Sequence, residues 1–256
     1  MAETVNMGSG RTWNSPLVVE LVGLAGTGKT TLARALQRRG AGFRVAPDIS
    51  MRNRRHVALC LAHFPKLAPL LARQGRSLAR FAWDDLKAMV YLTAWPRVLR
   101  GRGGDATAAV LLDHGPVFKL ATLRAFGPDA LRQPSFGPWW NRTFEQWAST
   151  LDVIVRLGAP EDVLIQRING RNQRHPVKGK PEIEAHRFLA RYQASYEEIL
   201  AQLCAHGPPM LLDFDTGQTP AEQIAEEIVA ACRRLRGRHG RLAESYCPEP
   251  SVVMGR

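Results

Sequence analysis

The chain has 256 residues, 45% of them hydrophobic, and a formal net charge of +12 at neutral pH. It can hold one sizeable domain with insertions or two small ones, and no apolar run approaches the roughly 20 residues of a bilayer-spanning helix. Arginine greatly outnumbers lysine, so the partners to expect are anionic: nucleotides, phosphorylated acceptors, nucleic acid or acidic lipid.

The polar residues 1–16 lack the apolar core of a signal peptide; a disordered tail and a cytoplasmic address are expected. The first strand candidate is 17–22, Leu-Val-Val-Glu-Leu-Val. It runs into Gly-Leu-Ala-Gly-Thr-Gly-Lys-Thr at 23–30, a complete G-x-x-x-x-G-K-T phosphate-binding loop, and a helix-forming run from Thr31 leaves it. Glycines let the backbone close around a polyphosphate, so that successive N–H groups and the positive end of the helix dipole face its oxygens. Gly23, Ala25, Gly26, Thr27, Gly28, Lys29, Thr30 and Thr31 are therefore the expected nucleotide-binding residues. Lys29 is placed to reach the β- and γ-phosphates, and the Thr30 hydroxyl to ligate Mg²⁺. Further strand candidates follow at about 43–46, 109–113, 152–157 and 209–213. Apolar runs of this kind, alternating with helical stretches, predict a mostly parallel five-stranded sheet covered on both faces, a three-layer α/β domain over 17–235.

Between 49 and 104 the pattern is mainly helical. One helix is predicted over 77–95, with Ser77 as cap and Leu78, Ala82, Leu86, Met89 and Val90 along a core-facing stripe. Residues 101–108 read as a connection, and 127–141 as a structured loop rich in Gly, Pro and Trp that enters another helix. A helix over 161–170 leads to a basic, proline-bearing loop at 170–181. An amphipathic helix over 182–206 and a last helix over 220–235 complete the domain. Five arginines within 233–241 lead into 236–256, a basic segment expected to be flexible. The four cysteines (Cys60, Cys204, Cys232, Cys247) show no C-x-x-C pair and the seven histidines no H-E-x-x-H spacing, so neither a disulfide frame nor a zinc motif is predicted.

Three further features carry chemistry. Asp113 ends the apolar run 109–112, where a carboxylate at the carboxyl end of a central strand holds Mg²⁺ beside the phosphate loop; a turn aspartate before Gly-Pro is the plainer alternative. Asp48 closes the second strand candidate and is placed either to accept the proton of an acceptor hydroxyl or to cap the following helix. Arg167 and Arg171 share a helix face, with Arg174, His175, Lys178 and Lys180 just beyond. Cations gathered on a polyphosphate neutralise charge on the transferring group; a solvated basic helix end is the alternative. Phe118, Lys119, Arg124, Phe126, Trp139, Trp140, Phe144 and Trp147 are either an acceptor pocket or ordinary core.

Four blocks make the chain similar to the P-loop kinases of the nucleoside/nucleotide kinase superfamily, the thymidylate kinase-like and deoxynucleoside kinase-like group. They are Gly23–Thr31, Leu-Leu-Asp-His-Gly-Pro at 111–116, the run from Val153 to Arg171, and the run from Leu212 that includes Asp-Thr-Gly-Gln-Thr-Pro at 215–220. The resemblance implies a lid over about 165–181 whose Arg167, Arg171 and Arg174 close over the phosphates. It also implies an adenine-side loop at Asp215, Thr216 and onward to Gln218, and an acceptor-side role for Asp48. The chain departs from the group in having His114, where many relatives carry arginine after the strand carboxylate, and in its acceptor-side signature between 48 and 100.

The leading expectation is an ATP- and Mg²⁺-dependent phosphotransferase acting on a small-molecule acceptor, a nucleoside or nucleotide included. A nucleotide-hydrolysing switch would want a base-specifying Asn-Lys-x-Asp motif, which the sequence lacks. A nucleic-acid-linked ATPase has only the basic C-terminal run in its favour, so nucleic acid is the minority reading. A kinase of a lipid- or glycan-linked acceptor would need peripheral membrane contact, for which Leu67-Ala68-Pro69-Leu70-Leu71 with Arg73 and Arg76 is a short candidate that a buried helix explains as well.

Overall fold

In the computed structural model, which describes residues 16–39, 42–46, 53–72, 80–100, 109–207 and 209–244, each apolar run forms a strand. These are β1 (Leu17–Val22), β2 (Phe43–Val45), β3 (Ala109–Leu112), β4 (Val153–Gly158) and β5 (Met210–Asp215). They form one five-stranded sheet in the order β2-β3-β1-β4-β5, with every pair parallel. The chain steps to one side of β1 and then to the other. The crevice beyond the carboxyl ends of β1, β3 and β4 is thus the switch point at which open α/β sheets bind ligands.

The helices are α1 (Lys29–Arg38), α2 (Arg54–Ala72), α3 (Trp83–Arg100), α4 (Pro116–Phe126), α5 (Gly137–Ala148), α6 (Glu161–Asn169), α7 (Glu182–Ala205) and α8 (Ala221–Glu244). Side chains alternate across each strand, so the sheet carries two cores. Leu17, Val19 and Leu21 of β1 pack with Leu32 and Leu36 of α1 and Ile224 and Ile228 of α8. Val18 and Val22 join the other core, with Met89 and Leu92 of α3, Val117 and Leu120 of α4, Trp147 of α5 and Leu189 of α7. Glu20 lies on this second face, fully buried.

Most predicted elements stand within a few residues of their expected bounds. The helix predicted over 77–95 starts later, at Trp83, where the Ala82 N–H donates to the Asp85 carboxylate (2.9 Å) and acidic Asp84 and Asp85 occupy the first turn. Of its stripe, Met89 and Val90 are buried, while Ser77 and Leu78 lie outside the described residues. The last helix continues past 235 to Glu244, so the arginine run is helical to that point. Of the stretch proposed for membrane contact, Leu67 and Leu71 are 2% and 3% exposed and belong to the core, Ala68 and Leu70 are half-buried, Pro69 is exposed, and Arg73 and Arg76 lie outside the described residues. Among the described residues, no helix is long and apolar enough to cross a membrane.

Candidate active site

The phosphate loop leaves β1 and turns into α1 through glycines with positive φ: Gly23 (149°), Gly26 (96°) and Gly28 (85°). At Gly23 a Cβ would lie 2.4 Å from the Leu157 carbonyl oxygen, so the loop packs directly on the end of β4. Gly28 stands at the N-cap of α1 in left-handed geometry, where a β-carbon is disfavoured by conformation alone. Thr27, buried, donates its hydroxyl to the Leu24 carbonyl (2.9 Å) and braces the turn. The Lys29 ammonium folds over the loop and donates to the carbonyls of Gly23 (2.7 Å) and Leu24 (3.0 Å). Burial pulls its pKa down to about 8, with nearby Arg171 adding to the effect and Asp113 opposing it. A cation held this way gains from any anion brought into the loop.

Asp113 follows β3 and comes alongside the loop, its Oδ2 3.5 Å from the Thr30 hydroxyl. Its other oxygen, Oδ1, is buried and has no hydrogen-bond partner among the described residues. Two oxygen ligands, one from the first turn of α1 and one from the end of β3 and including an unsatisfied carboxylate oxygen, suit a hard divalent cation such as Mg²⁺, which takes few protein ligands and completes its shell with water and phosphate.

α6 ends at Asn169, so Arg167 is helical but Arg171 lies in the turns beyond it, and the two do not share the helix face expected from their spacing. Arg167 donates to the carbonyl oxygen of Gly26 (3.2 Å), the Thr216 hydroxyl (3.1 Å) and the Thr216 carbonyl (3.1 Å). It thereby clamps the phosphate loop to the turn after β5, a fixed role that its place in an arginine series did not signal. That turn is self-braced: Asp215 Oδ1 accepts the Gly217 N–H at 2.7 Å, and the Thr216 hydroxyl donates to the Gly158 carbonyl at 3.0 Å. Gly26, Thr27, Arg167, Arg171, Thr216 and Pro220 are among the residues around a cavity of about 260 Å³ on this side.

A larger cavity, about 820 Å³, also borders the loop and shares Gly26, Gly28, Thr31 and Arg171 with the smaller one. Lys29, Thr30, Thr31, Arg34, Asp113, His114, Arg171, Arg174 and His175 line its polar end, and Phe118, Phe126, Phe188 and Tyr192 its far wall. Residues 171–176 also line it, within the run 170–181 of turns without helix or strand. Val177, 3% exposed, roots this segment in the core. The His175 pKa is lowered by burial and by the neighbouring Arg171 and Lys29 cations. On the far wall, Phe126 stacks on Phe188 with centroids 4.7 Å apart, and the Tyr192 and Thr122 hydroxyls meet at 2.5 Å.

The structure sorts the sequence's aromatic candidates. Phe118 and Phe126 face the cavity. Trp140, Phe144 and Trp147 are buried core, with the indole N–H of Trp140 on the Leu131 carbonyl (2.9 Å) and that of Trp147 on the Leu92 carbonyl (2.9 Å). Arg124 pairs with Glu198, and Lys119 sits over the Tyr91 ring, 4.6 Å from its centroid. Asp48 lies outside the described residues.

Glu20 is the residue that motif reading missed. Its two carboxylate oxygens accept the N–H groups of Val117 (3.0 Å) and Phe118 (3.1 Å), capping α4 from beneath. A Cβ on Gly115 would come within 2.6 Å of the Glu20 carboxyl carbon, so the Asp113-His114-Gly115 turn rests on it. Burial pushes this carboxyl up to about 8, while the two amides and Lys119 pull it down. The available signal was a lone glutamate in an otherwise apolar strand two residues before the loop's leading Val22-Gly23.

The fold is shared with a solved deoxyadenosine kinase from M. mycoides with its products dCMP and dCDP bound. The identity is 14%, the match covers 85% of this chain and all of that one, and the TM-score is 0.51. The same enzyme with dCTP bound matches over equal shares at 14% identity and a TM-score of 0.49. A YorR protein from Bacillus subtilis, in complex with phosphorylated GDP, matches 86% of this chain and 98% of its own at 16% identity and a TM-score of 0.47. At 14% identity the first of these likenesses is one of fold alone, and it agrees with the three-layer α/β architecture with a parallel five-stranded sheet expected from the sequence. No protein-family model and no curated protein matches the sequence.

Proposed function

We propose that the protein is an ATP-dependent phosphotransferase that moves the γ-phosphoryl group of MgATP to a hydroxyl or phosphate oxygen of a small molecule. One observation carries this reading: a single cavity runs from the phosphate loop, past Thr30 and Asp113, to an aromatic wall, lined also by Arg171 and Arg174. Such a site has room for a donor and an acceptor side by side, which a hydrolase has no need of.

In this reading the loop amides and Lys29 hold the triphosphate. The smaller cavity between Arg167 and Thr216 takes the adenine side, and Asp215 shapes that turn. Thr30 and Asp113 hold Mg²⁺, which neutralises charge on the phosphates. Arg171 and Arg174 approach the equatorial oxygens of the transferring group, where charge is spread in the transition state. The acceptor oxygen forms a bond to the γ-phosphorus as the bond to the β–γ bridging oxygen breaks, and that oxygen leaves with ADP. Where the acceptor is a hydroxyl, Asp48 takes its proton. Residues 170–181 act as the lid that keeps water from the phosphoryl group. The domain is the one expected over 17–235, extended by α8 to Glu244, and its acceptor is a small molecule.

The test is a panel of nucleosides, nucleotides, sugars and lipid-linked sugars with γ-labelled ATP, reading transfer against hydrolysis. Transfer to one acceptor class supports the reading. ATP hydrolysis stimulated by DNA, RNA or a protein, with no labelled acceptor, would replace it with an ATPase.

A further inference from the structure

Away from the cavity, three side chains from two helices converge on one point. Glu161 and Asp162 open α6, and Glu182 and His186 occupy the first turns of α7. His186 Nδ1 meets Glu161 Oε2 at 2.5 Å, a bond that fixes the ring and leaves Nε2 facing away from Glu161. Nε2 stands 3.5 Å from Asp162 Oδ1 and 3.6 Å from Glu182 Oε1. Both distances are within ion-pair range, and the Asp162 and Glu182 side chains are 86% and 80% exposed. Ligand atoms of Asp162, Glu182 and His186 all lie within 4.8 Å of one another.

These separations have a simple geometric meaning. Two ligand atoms each about 2.1 Å from a tetrahedral ion stand about 3.4 Å apart. The imidazole nitrogen is thus spaced from both carboxylates as it would be across an edge of such a coordination shell. The Glu161 contact on the other ring nitrogen is the carboxylate–histidine arrangement that orients metal-bound imidazoles.

We propose that Asp162, Glu182 and His186 form a binding site for a divalent transition-metal ion of the zinc type, with Glu161 as the carboxylate that positions His186 and water completing the shell. One imidazole nitrogen with carboxylate oxygens favours zinc-like ions over Mg²⁺ and Ca²⁺, which prefer oxygen throughout. The local charge favours a cation too, since three carboxylates gather here on a protein that is strongly basic overall. The position gives the site a purpose. Residues 170–181 leave from the end of α6 and return at the start of α7, so an ion bridging the starts of both helices fixes the return leg of the segment that lines the cavity. The inference is independent of the phosphotransferase reading.

The test uses the whole protein, freed of metal by chelation and kept alkaline enough to leave His186 neutral. Zn²⁺ is titrated by calorimetry in the presence of excess Mg²⁺, and Co²⁺ by visible absorption. The expected results are saturable binding of about one Zn²⁺ per chain, a melting temperature raised by the ion, and Co²⁺ bands of oxygen/nitrogen coordination. His186→Ala and Asp162→Asn should each weaken binding by about tenfold or more, the range seen when ligands or their supports are lost, with the metal-free melting temperature preserved. No saturable Zn²⁺ binding below about 100 µM, displacement of Zn²⁺ by Mg²⁺, or full binding by His186→Ala would each overturn the proposal.

Discussion

Glu20 ties the stability of the sheet to pH in a way that can be isolated. Its carboxyl is fully buried on the central strand, and its pKa rises from 4.5 to about 8, chiefly through loss of solvent. A carboxyl whose folded pKa is raised is protonated in the native state and ionised in the unfolded chain between those two values. The stability it confers is therefore complete below about pH 4.5 and is lost as pH rises through about 8. The difference between the two values corresponds to about 5 kcal/mol across the window, a net figure in which desolvation outweighs the opposing pull of the Val117 and Phe118 amides and of Lys119. Glu20→Gln removes the titration and keeps the volume, at the loss of one of two backbone hydrogen bonds, about 1–3 kcal/mol. The assay is urea unfolding of both proteins from pH 5 to pH 9, read as the difference between them at each pH; these bounds, about the window above, leave other titrating groups common to both curves. The parent should be the more stable at the acid end, and its advantage should shrink or reverse by the alkaline end. Parallel curves would show that Glu20 does not titrate on folding and would refute the reasoning.

Asp113→Asn keeps the shape of the turn and removes the charge, so it should lower transfer and raise the Mg²⁺ concentration needed for half-maximal rate; an unchanged metal dependence makes Asp113 a turn residue. Lys29, held at about 8 by burial, should take up a proton when MgATP binds near that pH, because the phosphates favour the ammonium. Calorimetry in buffers of different ionisation enthalpy reads this uptake, and its absence would place the phosphates away from Lys29. Amide exchange over 170–181 should slow when MgATP and the acceptor bind together; full protection in the free protein would make the segment a static wall.

The sheet was legible because its central strands β1, β3 and β4 are short apolar runs buried on both faces over most of their length, and the phosphate loop because its glycines have a conformational purpose that sequence displays directly. Asp113 was readable for a related reason, since the end of an apolar run marks the end of a strand. The roles that stayed hidden depend on contacts far apart in sequence. Arg167 looks like its neighbours Arg171 and Arg174, and only the fold brings Gly26 and Thr216 to its guanidinium. Glu20 reads as an ordinary interruption in a strand until α4 is seen to end its helix dipole on it. The aromatic wall joins Phe118 and Phe126 to Phe188 and Tyr192 across α4 and α7, a pairing that no local spacing announces.

The central claim is that the protein transfers phosphoryl groups and does not simply hydrolyse ATP. The most direct measurement follows ATP consumption and acceptor phosphorylation in parallel, for the parent, Lys29→Ala and Asp48→Asn, with each acceptor of the panel. The expected result is weak hydrolysis alone and stoichiometric transfer with the correct acceptor. Lys29→Ala should cut that transfer about a hundredfold or more, the loss of roughly 3–4 kcal/mol of charge stabilisation, and Asp48→Asn should slow it without weakening ATP binding. Vigorous hydrolysis with no phosphorylated product, or equal turnover by folded Lys29→Ala and the parent, would contradict the claim.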